Sequence, residues 1–333
     1  MIGPVAADDS ASTQGAPMIS IFAPRGIGEV IAGTDLATAI LTAAETDPRG
    51  PLRDGDILVV TSKIISKAEG RIEPASQRAE LITSESRRTV ARRGETRIVR
   101  TYGGLTLAAA GVDTSNVSAE SILLLPRDPD ASAAAIREQL AAATRLRLGV
   151  IISDTAGRPW RMGQTDHAIG VSGVQALQNY VGAKDAYDNE LQVTVMAVAD
   201  ELAAAADLVK GKLRGRPVAV VRGLGSLVWE GDSSAHELLR DPAKDMFSFG
   251  SQEAVLAAAL VASGQQDRYE ELVALERPEQ TSRLLAGTRL GTEAQDLLRA
   301  IMSVDLTDTQ VFELDSPLLE TDRRSDPGGE SQE

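Results

Sequence analysis

The run Leu148-Gly149-Val150-Ile151-Ile152 constrains this chain most, because it is apolar throughout and gives way at once to Ser153-Asp154-Thr155. Such a run reads as a buried strand, and its carboxyl end is where open α/β sheets present ligands. Similar short, largely β-branched runs recur at 18–22, 57–61, 96–100, 121–125, 192–196 and 217–221. Helical patterns lie between them at 36–45, 131–145, 174–181 and 197–208, the last running on to Lys210-Gly211, a helix stop. The alternation predicts an α/β or α+β domain over residues 18–246. Beyond it, 252–262, 267–275 and 293–302 carry apolar residues at helical spacing, which predicts a helical extension over 247–311. The small, polar residues 1–17 are expected to form a disordered leader, and the acidic stretch 312–333 a disordered tail.

Composition narrows the chemistry. There is no cysteine, so disulfides, thiolate metal sites and cysteine nucleophiles are excluded. With His167 and His236 the only histidines, a metal would be held mainly by oxygen, which suits Mg²⁺ or Mn²⁺. A net charge of −14 argues against a nucleic-acid partner. Residues 62–100 nevertheless hold ten Lys/Arg against five Glu, an island that fits either an anionic ligand or a solvated helix face. No apolar run is long enough to span a membrane and the start lacks a signal-peptide pattern, so a cytoplasmic protein with no membrane partner is expected. Neither a P-loop nor a G-x-G-x-x-G strand–helix turn is present. The turn Gly223-Leu224-Gly225 after a strand suits a phosphate, but a structural tight turn is its plainer meaning.

Three stretches could carry chemistry. In the first, a strand ending at Thr61 leads into Ser62, Lys63 and Lys67; on a helix the two lysines share a face and can meet phosphates, or can simply be solvated. In the second, Ala108-Ala109-Ala110-Gly111-Val112 leads to Asp113, Thr114, Ser115 and Asn116, a set that can cap a helix or offer oxygens to a cation. The third is Ser153–Arg161, read as a loop in which Asp154 and Thr155 hold a cation while Arg158 and Arg161 grip phosphate or carboxylate.

Together these stretches resemble the coenzyme F420-0:L-glutamate ligases, also called γ-glutamyl ligases. The resemblance covers residues 18–246 and rests on V-V-T-S-K-I-I-S-K-A-E-G-R (59–71), A-A-A-G-V-D-T-S-N-V (108–117), S-D-T-A-G-R-P-W-R-M-G-Q-T-D (153–166), N-Y-V-G-A-K-D-A-Y-D-N-E-L (179–191) and A-D-E-L-A-A-A-A-D-L-V-K-G-K (199–212). It implies an α+β, F420 γ-glutamyl ligase-like fold in an intertwined homodimer, with the helical stretch as a C-terminal extension. It implies GTP, L-glutamate and coenzyme F420-0 as partners, and a ligase reaction through an acyl phosphate. Carried over by position, the metal ligands would be Asp113, Asp154 and Thr155, for Mg²⁺ or Mn²⁺, with a monovalent cation such as K⁺ beside them. GTP contacts would fall on Ile27, Gly28, Glu29, Val30, Ser62, Lys67 and Asn116, although Arg25–Glu29 departs from the family's leucine–proline start. No general base for the glutamate amine follows from the motifs. Some relatives continue into a flavin-binding, nitroreductase-like domain; the 87 residues after Met246 are too few for it, so no FMN is expected. Another amide ligase acting on a different carboxylate, or a non-catalytic GTP sensor, stands as the alternative.

Overall fold

The computed structural model describes residues 18–303. The expected leader, the acidic tail and the end of the expected helical extension lie outside the described residues. Two compact units part between Ser248 and Phe249.

The first unit runs in the order β1 (Ser20–Phe22), α1 (Leu36–Thr46), β2 (Ile57–Thr61), α2 (Ser62–Ala68), β3 (Ile72–Pro74), α3 (Arg78–Glu85), β4 (Ser86–Arg93), β5 (Thr96–Thr101), β6 (Thr106–Ala108) and β7 (Ser121–Leu123). It continues with α4 (Pro129–Thr144), β8 (Gly149–Arg158), β9 (Arg161–Ser172), β10 (Gln178–Asn179), β11 (Val195–Met196), α5 (Val198–Lys210) and β12 (Val218–Arg222). Its main sheet has the order β1-β12-β2-β8-β9, in which only β2 and β8 run parallel. This is a mixed α+β architecture.

Alternation along the central strands explains why they are apolar at every position. Leu58, Val60, Val150, Ile152, Val218 and Val220 face α1 and α4, meeting Ile40, Ile136 and Leu140. Ile57, Val59, Ile151, Ala219 and Val221 face the other way, onto Val198, Leu202, Ala203 and Ala206 of α5. Each large side chain so buried contributes about 2 kcal/mol from leaving water. Helix starts are set by short acids: Asp35 accepts from Thr38 N, and Asp128 from Ala131 N just before Pro129. Around the main sheet lie a three-stranded meander β4-β5-β6 and two-stranded pairs β3-β7 and β10-β11.

Three expectations are corrected. First, β8 does not stop at Ser153: it continues to Arg158 and turns back as β9, so the expected loop is one arm of a long antiparallel hairpin. The register shifts between Ile152 and Ser153, leaving Ile169 as the extra residue of a bulge immediately before Asp154. The neighbouring Gly170 is obligatory there, since a Cβ would lie 2.4 Å from the Pro129 carbonyl at the start of α4. Second, 174–181 is not a helix. Val174 and Ala176 are both buried in the α5-side core, a period of two, and Gln178–Asn179 pairs with β11. Third, the basic island is not a helix face alone, because Ser86–Arg93 forms β4.

The second unit is described by itself: α6 (Ser251–Ala262), α7 (Tyr269–Val273), α8 (Arg277–Ala286) and α9 (Thr292–Ser303) close on a core that includes Leu256, Leu260, Leu272, Leu284, Leu298 and Met302. No helix among the described residues is long and apolar enough to cross a membrane.

Candidate active site

The parallel strands β2 and β8 carry their carboxyl ends to the same place, pairing Thr61 with Ser153. There the apolar pattern of both strands breaks into hydroxyls and charge. Ser62, first residue of α2, donates from Oγ to Asp154 Oδ1 at 2.7 Å. One turn carries Lys63 and Lys67 onto the same side of the helix. Lys63 Nζ binds Asp113 Oδ2, and Lys67 Nζ binds Glu29 Oε1 at 2.6 Å. Neither lysine is the solvated residue its position at a helix start allowed, since Lys67 is only 9% exposed.

Asp113 arrives by a strained route. Ala109, Ala110 and Gly111 are three consecutive left-handed residues, with φ of 51°, 54° and 75°. For alanine that conformation costs roughly 1–2 kcal/mol per residue. Gly111 has no alternative, because a Cβ would meet Leu125 at 2.6 Å. The kink leads to a backbone bridge in which Asp113 and Leu123 exchange hydrogen bonds. The Asp113 carboxylate then accepts from Ser115 N at 2.8 Å and Ser115 Oγ at 2.9 Å. No helix starts here, so the side chain caps none; it closes a local turn onto Ser115, and Oδ2 also takes the Lys63 ammonium. Burial works against ionisation, but Lys63 and Ser115 together hold the Asp113 carboxyl below its usual value.

On the hairpin, Asp154 stands opposite His167 and Thr155 opposite Asp166. Alternation sends Ser153, Thr155 and Asp166 to the α5 side, where Asp166 accepts from Ser153 Oγ at 2.9 Å, Thr155 Oγ1 at 2.7 Å and Lys210 Nζ at 2.8 Å. Burial raises the Asp166 carboxyl, yet the charge and hydrogen bond of Lys210, with the two hydroxyls, leave it lowered. Asp154 has the opposite balance. Burial pushes it above the usual carboxylate range, outweighing the Ser62 hydrogen bond and Lys63, and nearby Asp166 and Asp113 add to the rise.

These groups edge a cleft of about 560 Å³. Ile27, Gly28, Glu29, Val30, Lys67, Asn116 and Thr155 all line it, although they are scattered from residue 27 to residue 155 of the sequence. Ser62, Asp113 and Asp154 stand beside it, through the bonds of Ser62 and Lys63 just described. Five basic side chains, Lys63, Lys67, Lys210, Lys212 and Arg216, line the cleft against three acids, Glu29, Asp166 and Asp207. Asp166, Lys210 and Lys212 fall inside the sequence motifs but carry no site role there, and Arg216 lies outside them. Lys210 looks like an ordinary helix terminator, and only pairing of β9 with β8 brings Asp166 to the floor. Arg158 and Arg161 are not in the lining; they pair with each other at the far end of the hairpin, where Arg158 Nη2 donates to Met162 O at 3.0 Å. Gly223 serves packing, since a Cβ would meet Met18 O at 2.3 Å.

The donors suit a hard divalent cation. Among the described residues no group of three or more His, Cys, Asp or Glu side chains is placed to hold a metal ion. Asp113 and Asp154 lie near one another around Lys63, while Thr155, the next residue of the strand, faces Asp166 and the cleft. Lysine ammonium groups already sit on two of them: Lys63 on Asp113, and Lys212 Nζ 2.5 Å from Thr155 Oγ1. Positive charge is thus favoured at these oxygens, and Asp154, whose carboxyl burial pushes up, lies near Lys63 and Asp113.

The chain is similar to known proteins over most of the first unit. A family model described as F420-0:Gamma-glutamyl ligase matches residues 26–223. The chain is 39% identical over 247 residues to a coenzyme F420:L-glutamate ligase of Archaeoglobus fulgidus, covering 68% of this chain and 96% of that protein. Likewise named enzymes are 37% identical in Methanopyrus kandleri, over 65% of this chain and 92% of the relative, and in Methanothermobacter thermautotrophicus, over 69% and 98%.

Proposed function

This chain belongs to the F420-0:gamma-glutamyl ligase family, and on that premise we propose that it joins L-glutamate to coenzyme F420-0 at the expense of GTP. The observation that carries the reading is the cleft itself, where the segment Ile27–Val30, Lys67, Asn116 and Thr155 line one basic cavity beside Asp113 and Asp154. In this reading Ile27–Val30, Ser62, Lys67 and Asn116 hold the nucleotide. Asp113, Asp154 and Thr155 hold Mg²⁺ or Mn²⁺, with a monovalent cation such as K⁺ nearby. The divalent cation supplies charge neutralisation for phosphoryl transfer.

The chain's own part is to position and to neutralise. Lys63, Lys67 and Lys212 line the cleft as ammonium donors for phosphate oxygens. Asp166, fixed by Lys210 and Ser153, accepts the Thr155 hydroxyl proton and so turns the lone pairs of that oxygen outward. The terminal carboxylate of coenzyme F420-0 would attack the γ-phosphorus of GTP, releasing GDP and forming an acyl phosphate. The glutamate amine would then displace phosphate, and the product is an amide. Such chemistry needs orientation and charge rather than a protein nucleophile.

A homodimer belongs to the same reading. The hairpin tip exposes Trp160 and Met162 at 81% and 95%, large apolar surfaces of the kind that mark a partner. The test of function is direct: incubate the protein with GTP, Mn²⁺, glutamate and coenzyme F420-0 and look for a product heavier by one glutamate residue. Product formed only with a different carboxylic acid would replace the acceptor, and GTP binding without any product would favour a sensor.

A further inference from the structure

Two lysines of the cleft are bonded to oxygens that the proposed cation would need. Lys63 Nζ lies on Asp113 Oδ2, and Lys212 Nζ lies 2.5 Å from Thr155 Oγ1. The Thr155 hydroxyl proton is committed to Asp166 Oδ1 at 2.7 Å, so Lys212 occupies the lone pairs of that oxygen. Those lone pairs are what a cation at about 2.1 Å would use. An ammonium and a divalent cation cannot share one oxygen at such distances without strong like-charge repulsion. Something must move.

The third lysine shows what cannot move. Lys210 is 5% exposed and held by both Ser153 Oγ and Asp166 Oδ2 at 2.8 Å. Lys212, by contrast, is 59% exposed and only 3.7 Å and 3.6 Å from Asp166 and Asp207, contacts too long to fix it. Lys63 is 20% exposed, and its ammonium is bound to Asp113 Oδ2. Both lysines line the cleft in which phosphates would lie.

We propose that Lys63 and Lys212 are exchangeable counter-ions: each holds an oxygen of the cation site and transfers to a phosphate oxygen when the divalent cation and GTP bind together. The inference rests on the assignment of Asp113 and Thr155 as cation ligands and of GTP as the nucleotide. Its consequence is coupling. A divalent cation alone must displace two ammonium groups, Lys63 from its carboxylate and Lys212 towards water and Asp207, whereas GTP provides phosphate acceptors for both. Cation and nucleotide therefore favour one another, and by reciprocity each raises the other's affinity equally.

The experiment uses full-length protein without glutamate or acceptor, so that no turnover occurs. Mn²⁺ alone is titrated and its free signal followed by electron paramagnetic resonance; GTP affinity at saturating Mn²⁺ is measured by calorimetry. For the Lys63→Met/Lys212→Met double variant we expect tighter binding of Mn²⁺ alone and GTP binding weakened by about tenfold or more. Lysines with a merely structural role would move the two affinities together or leave both unchanged, and either result overturns the proposal. So would Mn²⁺ alone binding the variant no more tightly than the native protein. Lys212→Met by itself, changed at an exposed side chain, gives the same opposite-signed test should the double variant not fold. A native chain without ligase activity would defeat the proposed reaction and leave this result standing, since neither measurement requires catalysis.

Discussion

Lys210 and Asp166 form an ion pair from which water is almost excluded, with Nζ and Oδ2 2.8 Å apart and side chains 5% and 4% exposed. It ties the last residue of α5 to β9, beneath Thr155. Breaking such a pair from one side strands a buried charge. Lys210→Met is therefore expected to cost about 3–5 kcal/mol, with much of it recovered in Lys210→Met/Asp166→Asn. Urea unfolding of the three proteins measures this. The acid dependence has a definite sign. Because the folded Asp166 carboxyl is lowered, its contribution is present above the unfolded value of about 3.9 and is lost as pH falls through the lower folded value. That acid loss should be largely absent from Lys210→Met.

Asp154 should behave in the reverse manner. Its carboxyl is raised by burial, so the folded state favours the proton, and stability falls as pH rises from the unfolded value of about 3.9 through the higher folded one. Asp154→Asn is then expected to be at least as stable as the native protein at neutral pH, with no advantage at pH about 3, where both forms are uncharged. Turnover, which in the proposed reaction needs the carboxylate, should be abolished in both Asp154→Asn and Asp154→Ala. Denaturation at the two pH values and the glutamate-addition assay give the two readouts. Full activity in Asp154→Ala would remove Asp154 from the cation site.

How far this arrangement could be read from sequence depended on whether the signal was local. The strand 57–61 has the bounds its composition indicates, and 36–46 and 198–210 differ from their helical patterns by one or two residues. Their apolar spacing is a local property. β9 was not legible, because Gly157 and Pro159 look like a loop and the strand draws its order from pairing with β8. The same dependence concealed Asp166. A carboxylate in a polar stretch carries no mark of burial until the partner strand places it against α5. Val174–Val181 failed for the converse reason: its apolar residues allow a helical spacing, but Val174 and Ala176 are claimed by the core at a period of two.

The kink before Asp113 gives a third prediction. Gly111 combines a φ of 75° with no room for a methyl group, since Leu125 carbons would lie at 2.6 Å. Gly111→Ala should lose roughly 1–2 kcal/mol for the backbone and about as much again for overpacking. Because Asp113, a ligand in the proposed cation site, lies two residues on, the loss of Mn²⁺ affinity should exceed what partial unfolding explains. Thermal denaturation beside Mn²⁺ titration of the folded fraction separates the effects. Val112→Ala, at a buried neighbour without positive φ, serves as the comparison and should lower stability while sparing metal affinity.

The helical unit after Ser248 offers the last prediction. Every residue lining the candidate cleft falls between Ile27 and Pro217, and the family model matches residues 26–223. The second unit closes its own apolar core, Leu256 and Leu260 on Leu272, Leu284, Leu298 and Met302. A unit with its own core can be removed without opening another. If the proposed reaction holds, a chain ending at Ser248 is therefore expected to keep glutamate addition at the same order of magnitude, with unchanged affinities for the proposed GTP and Mn²⁺. Steady-state assays and calorimetry on the full and shortened chains check this. If turnover fell sharply while both affinities held, the helical unit would have to act on the acceptor substrate or on product release, and not on the nucleotide site.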